Sequence, residues 1–521
     1  MLCWLPSALA ATPVLKLKRK PNIIVILADD LGNADLGYRG SKIKTPNIDQ
    51  LANTGVSLES YYGLPICTPA RAALLTGRYP MRYGLQTNVI FAGHEYGLPT
   101  DEVTLAEALK GAGYETAMVG KWHLGHAYKD YWPQNRGFDY FYGNVMGEVD
   151  YETKKDKTES EIDWQRNGER LNTEEAPENG YYTELIGDEA VKLIHEHHQW
   201  KPFFLYFASL APHTPLQAPD KYIKAYEPVF PGEENKEKRT YAAMITSLDR
   251  QVGRMLKALE EEGMRDNTLI FFSTDNGGSA ERPKIFYGPG ATIPDAPSAS
   301  NEPFRGGKTS LYEGAVRLPA IVNWPAQLQP AVVDELLHHV DIMPTLLALA
   351  GAEGSADKPF DGKDVWATLA EGAPSPHEEI LINVETYRGA IRKGNWKLIK
   401  YATLPGKTEL FNLSRDEKEQ NNVAWLYPDI VEYLEARLVA YAEEQKFSEW
   451  LKAQPDFMDA QGIPAFDPDF DVDDGGPLGQ IPVLPLPPKA TPLPAQPIEN
   501  VAQEDFWDTI IQQIDKRYST K

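Results

Sequence analysis

"PNIIVILADD", Pro21 to Asp30, is an unbroken apolar run that ends in two carboxylates. It shows no period-two alternation, so the segment reads as a strand covered on both faces, and strands of that kind belong to parallel sheets. "KPFFLYFASLAPHTP" (Lys201 to Pro215) and "NTLIFFSTDNGG" (Asn267 to Gly278) repeat the form, each apolar run closing on polar or glycine-rich residues. Helical patterns lie between the runs. "TLAEALKGAGY" offers Thr104 and Glu107 as a capping box, with Gly111 near its end. Tyr241 to Gly263 sets Met244, Leu248, Val252, Met255 and Leu259 along one stripe, as a helix lying on a sheet requires. Alternating strands and helices predict an α/β fold: a large, mainly parallel sheet sandwiched by helices.

The chain has 521 residues, 42% of them hydrophobic and 24% charged, ample for a large core and a smaller second one. A net charge of −23 argues against nucleic acid or an anionic membrane surface as partner, since both demand a basic face. No apolar stretch is long enough to span a bilayer, and a soluble protein is expected. The opening "MLCWLPSALAATPVL" carries the small-residue pattern Ala8-Leu9-Ala10, like the end of an export signal, although it lacks a basic start. That reading points to a periplasmic or secreted protein. Cleavage after Ala10 would remove Cys3 and leave Cys67 as the sole cysteine, either inert and buried or reactive.

Four segments are expected. Residues 1–20 form the export signal and an arm, 21–374 the large α/β domain, and 375–450 a small α+β domain with short strands and a helix near Ile430 to Glu444. Residues 451–521 form a proline-rich tail, whose end sets Phe506, Ile510 and Ile514 at helical spacing. Such a tail can strap its own domain or exchange between copies in a homo-oligomer.

In open α/β sheets, ligands gather beyond the carboxyl ends of the strands. Asp29 and Asp30 end one run, and Asp275 and Asn276 another. Either pair alone reads as the cap of a following helix. Two pairs in one sheet favour a hard cation among three carboxylates and an amide oxygen, calcium first and magnesium second. In "PICTPARAALLTG" (Pro65 to Gly77), Thr68 and Pro69 are good N-cap and N1 residues. Cys67 would then face a helix N-terminus with Arg71 beside it, which lowers a thiol pKa. A cysteine phosphatase would need arginine six positions after the cysteine, where this chain has Ala73. A plain buried cysteine also fits.

"PICTPARAALLTG" and "GYETAMVGKWH" (Gly113 to His123) resemble the two signatures of the sulfatases, within the alkaline phosphatase superfamily. Cys67, Pro69 and Arg71 match that family's Cys-x-Pro-x-Arg motif, whose cysteine a formylglycine-generating enzyme oxidises to formylglycine. The resemblance runs from about Asn22 to Ala424, through "LADDLGNADLGYRGSKIKTPNID", "STDNGG" and "FRGGKTSLYEGAVRLP". Within the family, "YYGLPICTPARAALLTGRYPMRYGLQ" and "KWHLG" look most like the arylsulfatase B or N-acetylgalactosamine 4-sulfatase group. It implies hydrolysis of a sulfated carbohydrate, of galactose type and sulfated at position 4. The implied metal ligands are Asp29, Asp30, Asp275 and Asn276, together with the residue at Cys67. Arg71 would hold the formylglycine hydrate, Lys121 and Lys308 would bind sulfate oxygens, His123 would take a proton from the hydrate, and His213 would protonate the leaving oxygen.

Without their motifs, the lysines would read as solvated charges and His213 as a loop histidine. "HEHH" at His195 to His198 lacks a helical pair four apart for a metal face and is expected to end an exposed helix, and His338 and His339 are expected to be structural. Tyr131, Trp132 and Tyr142 fit either sugar stacking or core packing. Glu148 stands where many sulfatases carry a small polar residue near the sulfate, and receives no role. The loop Glu281 to Phe304, with no obvious template, is expected to shape the substrate entrance. The rival readings are a phosphate mono- or diesterase of the same superfamily, and a sulfated-glycan-binding protein in which Cys67 stays a cysteine.

Overall fold

All seven residues of Asn22–Ala28 are buried in a strand, and the pleat sends alternate side chains into two separate cores. Ile23, Val25 and Leu27 join one cluster, and Ile24, Ile26 and Ala28 join the other. A computed structural model describes residues 19–156, 161–171, 180–197, 200–280, 298–402 and 406–453. The export-signal pattern, the proline-rich tail with its terminal helix, and residues 281–297 of the entrance loop lie outside the described residues.

In chain order the strands of the first part are β1 (Asn22–Ala28), β2 (Val56–Leu58), β3 (Tyr61–Tyr62), β4 (Glu115–Lys121), β5 (Tyr140–Asn144), β6 (Gln165–Arg166), β7 (Glu169–Arg170), β8 (Phe203–Ala208), β9 (Thr268–Thr274), β10 (Ala320–Asn323), β11 (Ala331–Val333) and β12 (Leu337–His338). Among the described residues they make a ten-stranded sheet in the order β11-β2-β10-β9-β1-β8-β4-β5-β6-β7, and β3 pairs with β12. The centre, β9-β1-β8-β4-β5, is parallel throughout. Antiparallel pairing appears only toward the edges, at β10 and β6. The mainly parallel sheet expected from the apolar runs is therefore present.

One face is covered by the helices Pro46–Thr54, Tyr182–Glu196 and Lys236–Glu261, the last burying the predicted stripe from Met244 to Leu259. The other is covered by Leu105–Gly111 and Ile342–Ala350, together with Ala72, Leu74 and Leu75 of the helix Cys67–Thr76. Each large aliphatic side chain so buried contributes about 1.5–3 kcal/mol. The capping box is made: the Glu107 N–H donates to Thr104 Oγ1 at 3.1 Å and the Thr104 N–H to Glu107 Oε2 at 2.7 Å.

Further along the chain, β13 (Glu379–Val384), β14 (Arg388–Lys393), β15 (Trp396–Tyr401) and β16 (Lys407–Asn412) form an antiparallel sheet in sequence order, with the helix Pro428–Glu443. Ile380, Ile382, Ala390, Ile399 and Phe411 pack against Leu311, Ala315 and Val316, the segment just beyond Lys308. Among the described residues no helix is long and apolar enough to cross a membrane.

Candidate active site

Because β1, β9, β8 and β4 run parallel and in register, their carboxyl ends lie side by side. Ala28 pairs with Thr274, so Asp29–Asp30 and Asp275–Asn276 leave the sheet next to each other. The Asp30 N–H donates to Asp275 Oδ1 at 3.3 Å, and Asn276 Nδ2 donates to Asp30 Oδ1 at 2.7 Å. Lys121 is the last residue of β4, and His213 lies in the turn after β8. A glycine is required just before Lys121: Gly120 has φ +104°, and a Cβ there would come within 2.0 Å of the Ala208 carbonyl oxygen.

The cations and carboxylates interlock at the centre. Lys121 Nζ is 2.5 Å from Asp29 Oδ2, and Lys308 Nζ is 2.8 Å from Asp30 Oδ2. Arg71 donates from Nε to Asp275 Oδ2 at 3.0 Å and from Nη1 to the Lys121 carbonyl at 3.0 Å, with Nη2 3.4 Å from Asp29 Oδ2. Asp29, Asp275, Arg71 and Lys121 are all fully buried. Burial alone would push Asp29 up, but Lys121, His213 and Arg71 together hold its carboxyl below the usual range. Three negative and three positive side chains thus balance in a largely buried cluster.

Cys67 opens the helix Cys67–Thr76, and its Sγ lies 3.5 Å from Asp29 Oδ1. Single ligand atoms of Asp29, Asp30, Cys67 and His213 all fall within 4.8 Å of one another. Two local expectations are overturned here. Thr68 is not the N-cap; Ile66 is, and Thr68 Oγ1 instead donates to the His123 carbonyl and accepts from the Ile90 N–H. The Cys67 thiol pKa is raised rather than lowered. Burial dominates, and the Lys121 and Lys308 charges only partly oppose it because each is already neutralised by a carboxylate.

His123 is buried and adopts φ +61°; Asp30 and Thr309 also have positive φ. Half of the six non-glycine residues with positive φ among the described residues therefore cluster at this site, as strained backbone does at functional centres. His123 Nε2 faces the Ile90 carbonyl at 3.1 Å and must donate to it, which leaves Nδ1 as the basic atom. Burial, then Lys121 and Arg71, hold this imidazole well below its ordinary pKa, so it is neutral. His213 Nδ1 donates to the Thr214 carbonyl at 2.7 Å, and its Nε2 sits 3.6 Å from Asp30 Oδ2.

All ten predicted site residues lie together at this end of the sheet. His195 and His197 pair with Glu262 and Glu115 at the opposite end of the sheet, and His198 lies outside the described residues. Tyr142 is a core residue, edge-on to Trp164 at 4.8 Å, and Trp132 packs against a core cluster. Glu148 is half-buried beside Gly147, where a Cβ would come within 2.4 Å of the His123 ring. His339 is structural but touches the site: it accepts from the Tyr61 hydroxyl at Nδ1 (2.8 Å) and donates from Nε2 to the Asp275 carbonyl at 3.1 Å. Nothing local in "LHHVD" signals that contact.

The donor set suits a hard divalent cation. It is rich in oxygen, and Asn276 Oδ1 is buried with no hydrogen-bond partner among the described residues, an acceptor that awaits a positive charge.

The family model "Sulfatase" matches residues 21–352, and the model "N-sulphoglucosamine sulphohydrolase, C-terminal" matches residues 307–444. The chain is 39% identical to arylsulfatase J of Mus musculus over 72% of its own length and 60% of that protein's. It is 35% identical to N-acetylgalactosamine-6-sulfatase of Mus musculus over 68% of its length and 66% of that protein's. It thus spans less than two thirds of these curated relatives. Its structure is similar to that of Ps i-CgsB in complex with k-i-k-neocarrahexaose, with a TM-score of 0.73 at 32% identity, covering 85% of this chain and 99% of that one. With both signatures in place, strand-end carboxylates converging on Cys67 and a family match over most of the α/β part, the chain belongs to the sulfatase family.

Proposed function

We propose that this chain hydrolyses the sulfate ester of a sulfated carbohydrate, using a divalent metal and a formylglycine made from Cys67. The observation that carries the reading is the seating of Cys67 3.5 Å from Asp29, inside a buried ring of three carboxylates and three cations. Asp29, Asp30, Asp275, Asn276 and the residue at position 67 would hold the metal, calcium before magnesium. When bound, it supplies Lewis-acid polarisation of oxygen. Formylglycine, once formed, supplies a hydrated aldehyde with two hydroxyls, one nucleophilic toward sulfur and one that lets the covalent sulfate ester collapse.

The chain's own side chains do the rest. Arg71, anchored by Asp275 and the Lys121 carbonyl, orients residue 67. Lys121 and Lys308 present two ammonium groups to the sulfate oxygens; each such donor typically contributes a hundredfold or more in rate. His123, neutral, takes a proton at Nδ1, the atom left basic by its Nε2–H bond to Ile90. His213 delivers a proton from Nε2 to the departing sugar oxygen, since its Nδ1–H is committed to Thr214. His213 aside, the three carboxylates and three cations sum to zero charge, so a divalent cation would make the pocket at least doubly positive. That local field attracts an anionic ester despite the overall charge of −23.

The substrate class we infer is a galactose-type sugar. Position 4 is what the resemblance of the signatures to the 4-sulfatase group implies, and the similarity to an N-acetylgalactosamine-6-sulfatase makes position 6 the alternative to test. Maturation requires a formylglycine-generating enzyme. The test is sulfate release, followed by ion chromatography, from defined 4- and 6-sulfated galactosides and sulfated polysaccharides, with matched phosphate esters. It uses calcium-loaded protein carrying the aldehyde, with Cys67→Ala as control. Release confined to unmutated protein supports the reading and names the position. Faster phosphate turnover selects a phosphoesterase, and binding without turnover a glycan-binding protein.

A further inference from the structure

The structure assigns a positioning role to Arg388 of the small C-terminal sheet: with Glu385, it locks the Thr309 peptide so that the Lys308 ammonium stays in the active site. This rests on the reading of Lys308 as a sulfate-binding group.

Lys308 lies in "FRGGKTS", a loop rather than a strand or helix, so its direction is set by contacts from outside. Three backbone anchors hold it. The Lys308 N–H donates to the Gly278 carbonyl at 3.2 Å, which ties it to the turn carrying Asp275 and Asn276. The Thr309 N–H donates to the Pro65 carbonyl at 2.7 Å, which ties it to the segment leading into Cys67. The Thr309 carbonyl accepts from Arg388 Nη1 at 2.6 Å. Thr309 has φ +76°, a conformation that a β-branched residue holds only when its surroundings impose it, and both of its backbone polar groups are pinned.

Arg388 is itself preset. Its Nε lies 3.1 Å from both Glu385 carboxylate oxygens and its Nη2 2.8 Å from Oε1, while Asn383 Nδ2 donates to the same Oε1 at 2.8 Å. Glu385 and Arg388 flank the turn between β13 and β14, and both are largely buried. A guanidinium whose charge is taken up by a carboxylate fork and whose remaining edge grips a backbone oxygen is built to hold geometry, not to capture a sulfate. The small sheet thereby reaches within one residue of Lys308 and fixes it relative to both Cys67 and Asp30.

The test combines kinetics with structure. Arg388→Met is expected to lower kcat/KM for sulfate release tenfold or more, with Arg388→Lys, which keeps one donor for the Thr309 oxygen, intermediate. If Arg388 acts through Lys308, adding Arg388→Met to Lys308→Ala costs less than threefold beyond Lys308→Ala alone. Losses that multiply, or an Arg388→Met enzyme within twofold of the unmutated one, overturn the proposal. A crystal structure of Arg388→Met, or of Arg388→Lys should the first not fold, judges the clamp without reference to activity. Thr309 leaving positive φ with Lys308 withdrawn from Asp30 supports it, and an unchanged loop overturns it. If the unmutated protein releases no sulfate at all, the proposed function falls and the crystallographic result still decides the clamp.

Discussion

Replacing Lys121 by methionine tests how a buried charge can serve both stability and catalysis. The ammonium is fully buried and 2.5 Å from Asp29 Oδ2, so its loss strands a buried carboxylate that retains Arg71 at 3.4 Å. Breaking one side of a buried pair costs about 3–5 kcal/mol, and the surviving arginine places this case at about 3–4. At about 2 cal/mol/K per residue over the roughly 400 described residues, that lowers Tm by about 4–5 °C in chelator. The sign with pH follows from Asp29. Its folded pKa is depressed, so it contributes stability above the ordinary carboxylate range that is lost as pH falls through the folded value. In the variant, burial dominates and that contribution disappears at neutral pH. The gap between the two proteins is therefore widest at pH 6–8 and narrows below about pH 4. Calcium, by supplying a new positive partner for Asp29, shrinks the Tm gap, whereas sulfate release stays down by about a hundredfold because the donor to the ester is still missing. Differential scanning calorimetry in chelator and in calcium, with kcat from ion chromatography, measures both. A variant within 1 °C in chelator and threefold in turnover would refute the reasoning.

Three further outcomes are expected. Chelation abolishes sulfate release and calcium restores it; Asn276→Ala, which deletes the unpartnered Oδ1, raises the calcium concentration needed at least tenfold, as read by calcium-dependent Tm as well as activity. Asp249 caps the helix Pro46–Thr54 from another helix, accepting from the Asn47 and Ile48 N–H groups, and burial raises its pKa to about 6. A raised carboxylate favours folding below the unfolded pKa, and the benefit is lost as pH rises through the folded value. Asp249→Asn should therefore flatten the urea-unfolding stability between pH 4 and 6, removing a fall of about 2–3 kcal/mol there.

The features legible in the sequence are those written in short-range pattern. Unbroken apolar runs identified β1, β8 and β9 because a strand buried on both faces has no polar side. Once those strands were parallel, the residues at their carboxyl ends had to be neighbours, which brought Asp29, Asp30, Asp275, Asn276 and His213 to one place. Cys67, Arg71, Lys121 and Lys308 came from the resemblance of their segments to the sulfatase motifs. What only the tertiary structure decided depends on burial and on contacts distant in sequence. The thiol of Cys67 is pushed up by its burial, which the Lys121 and Lys308 charges, each paired with a carboxylate, only partly oppose; the local helix N-terminus cannot reveal that balance. Thr68 bonds Ile90 and His123 instead of capping its helix, since those partners arrive from loops outside its own segment. The grip of Arg388 on Thr309 spans 79 residues, and that of His339 on Asp275 spans 64. Hydrophobic periodicity records which face of an element is dry; it carries no record of which distant polar group will meet it there, because that is set by how the layers pack.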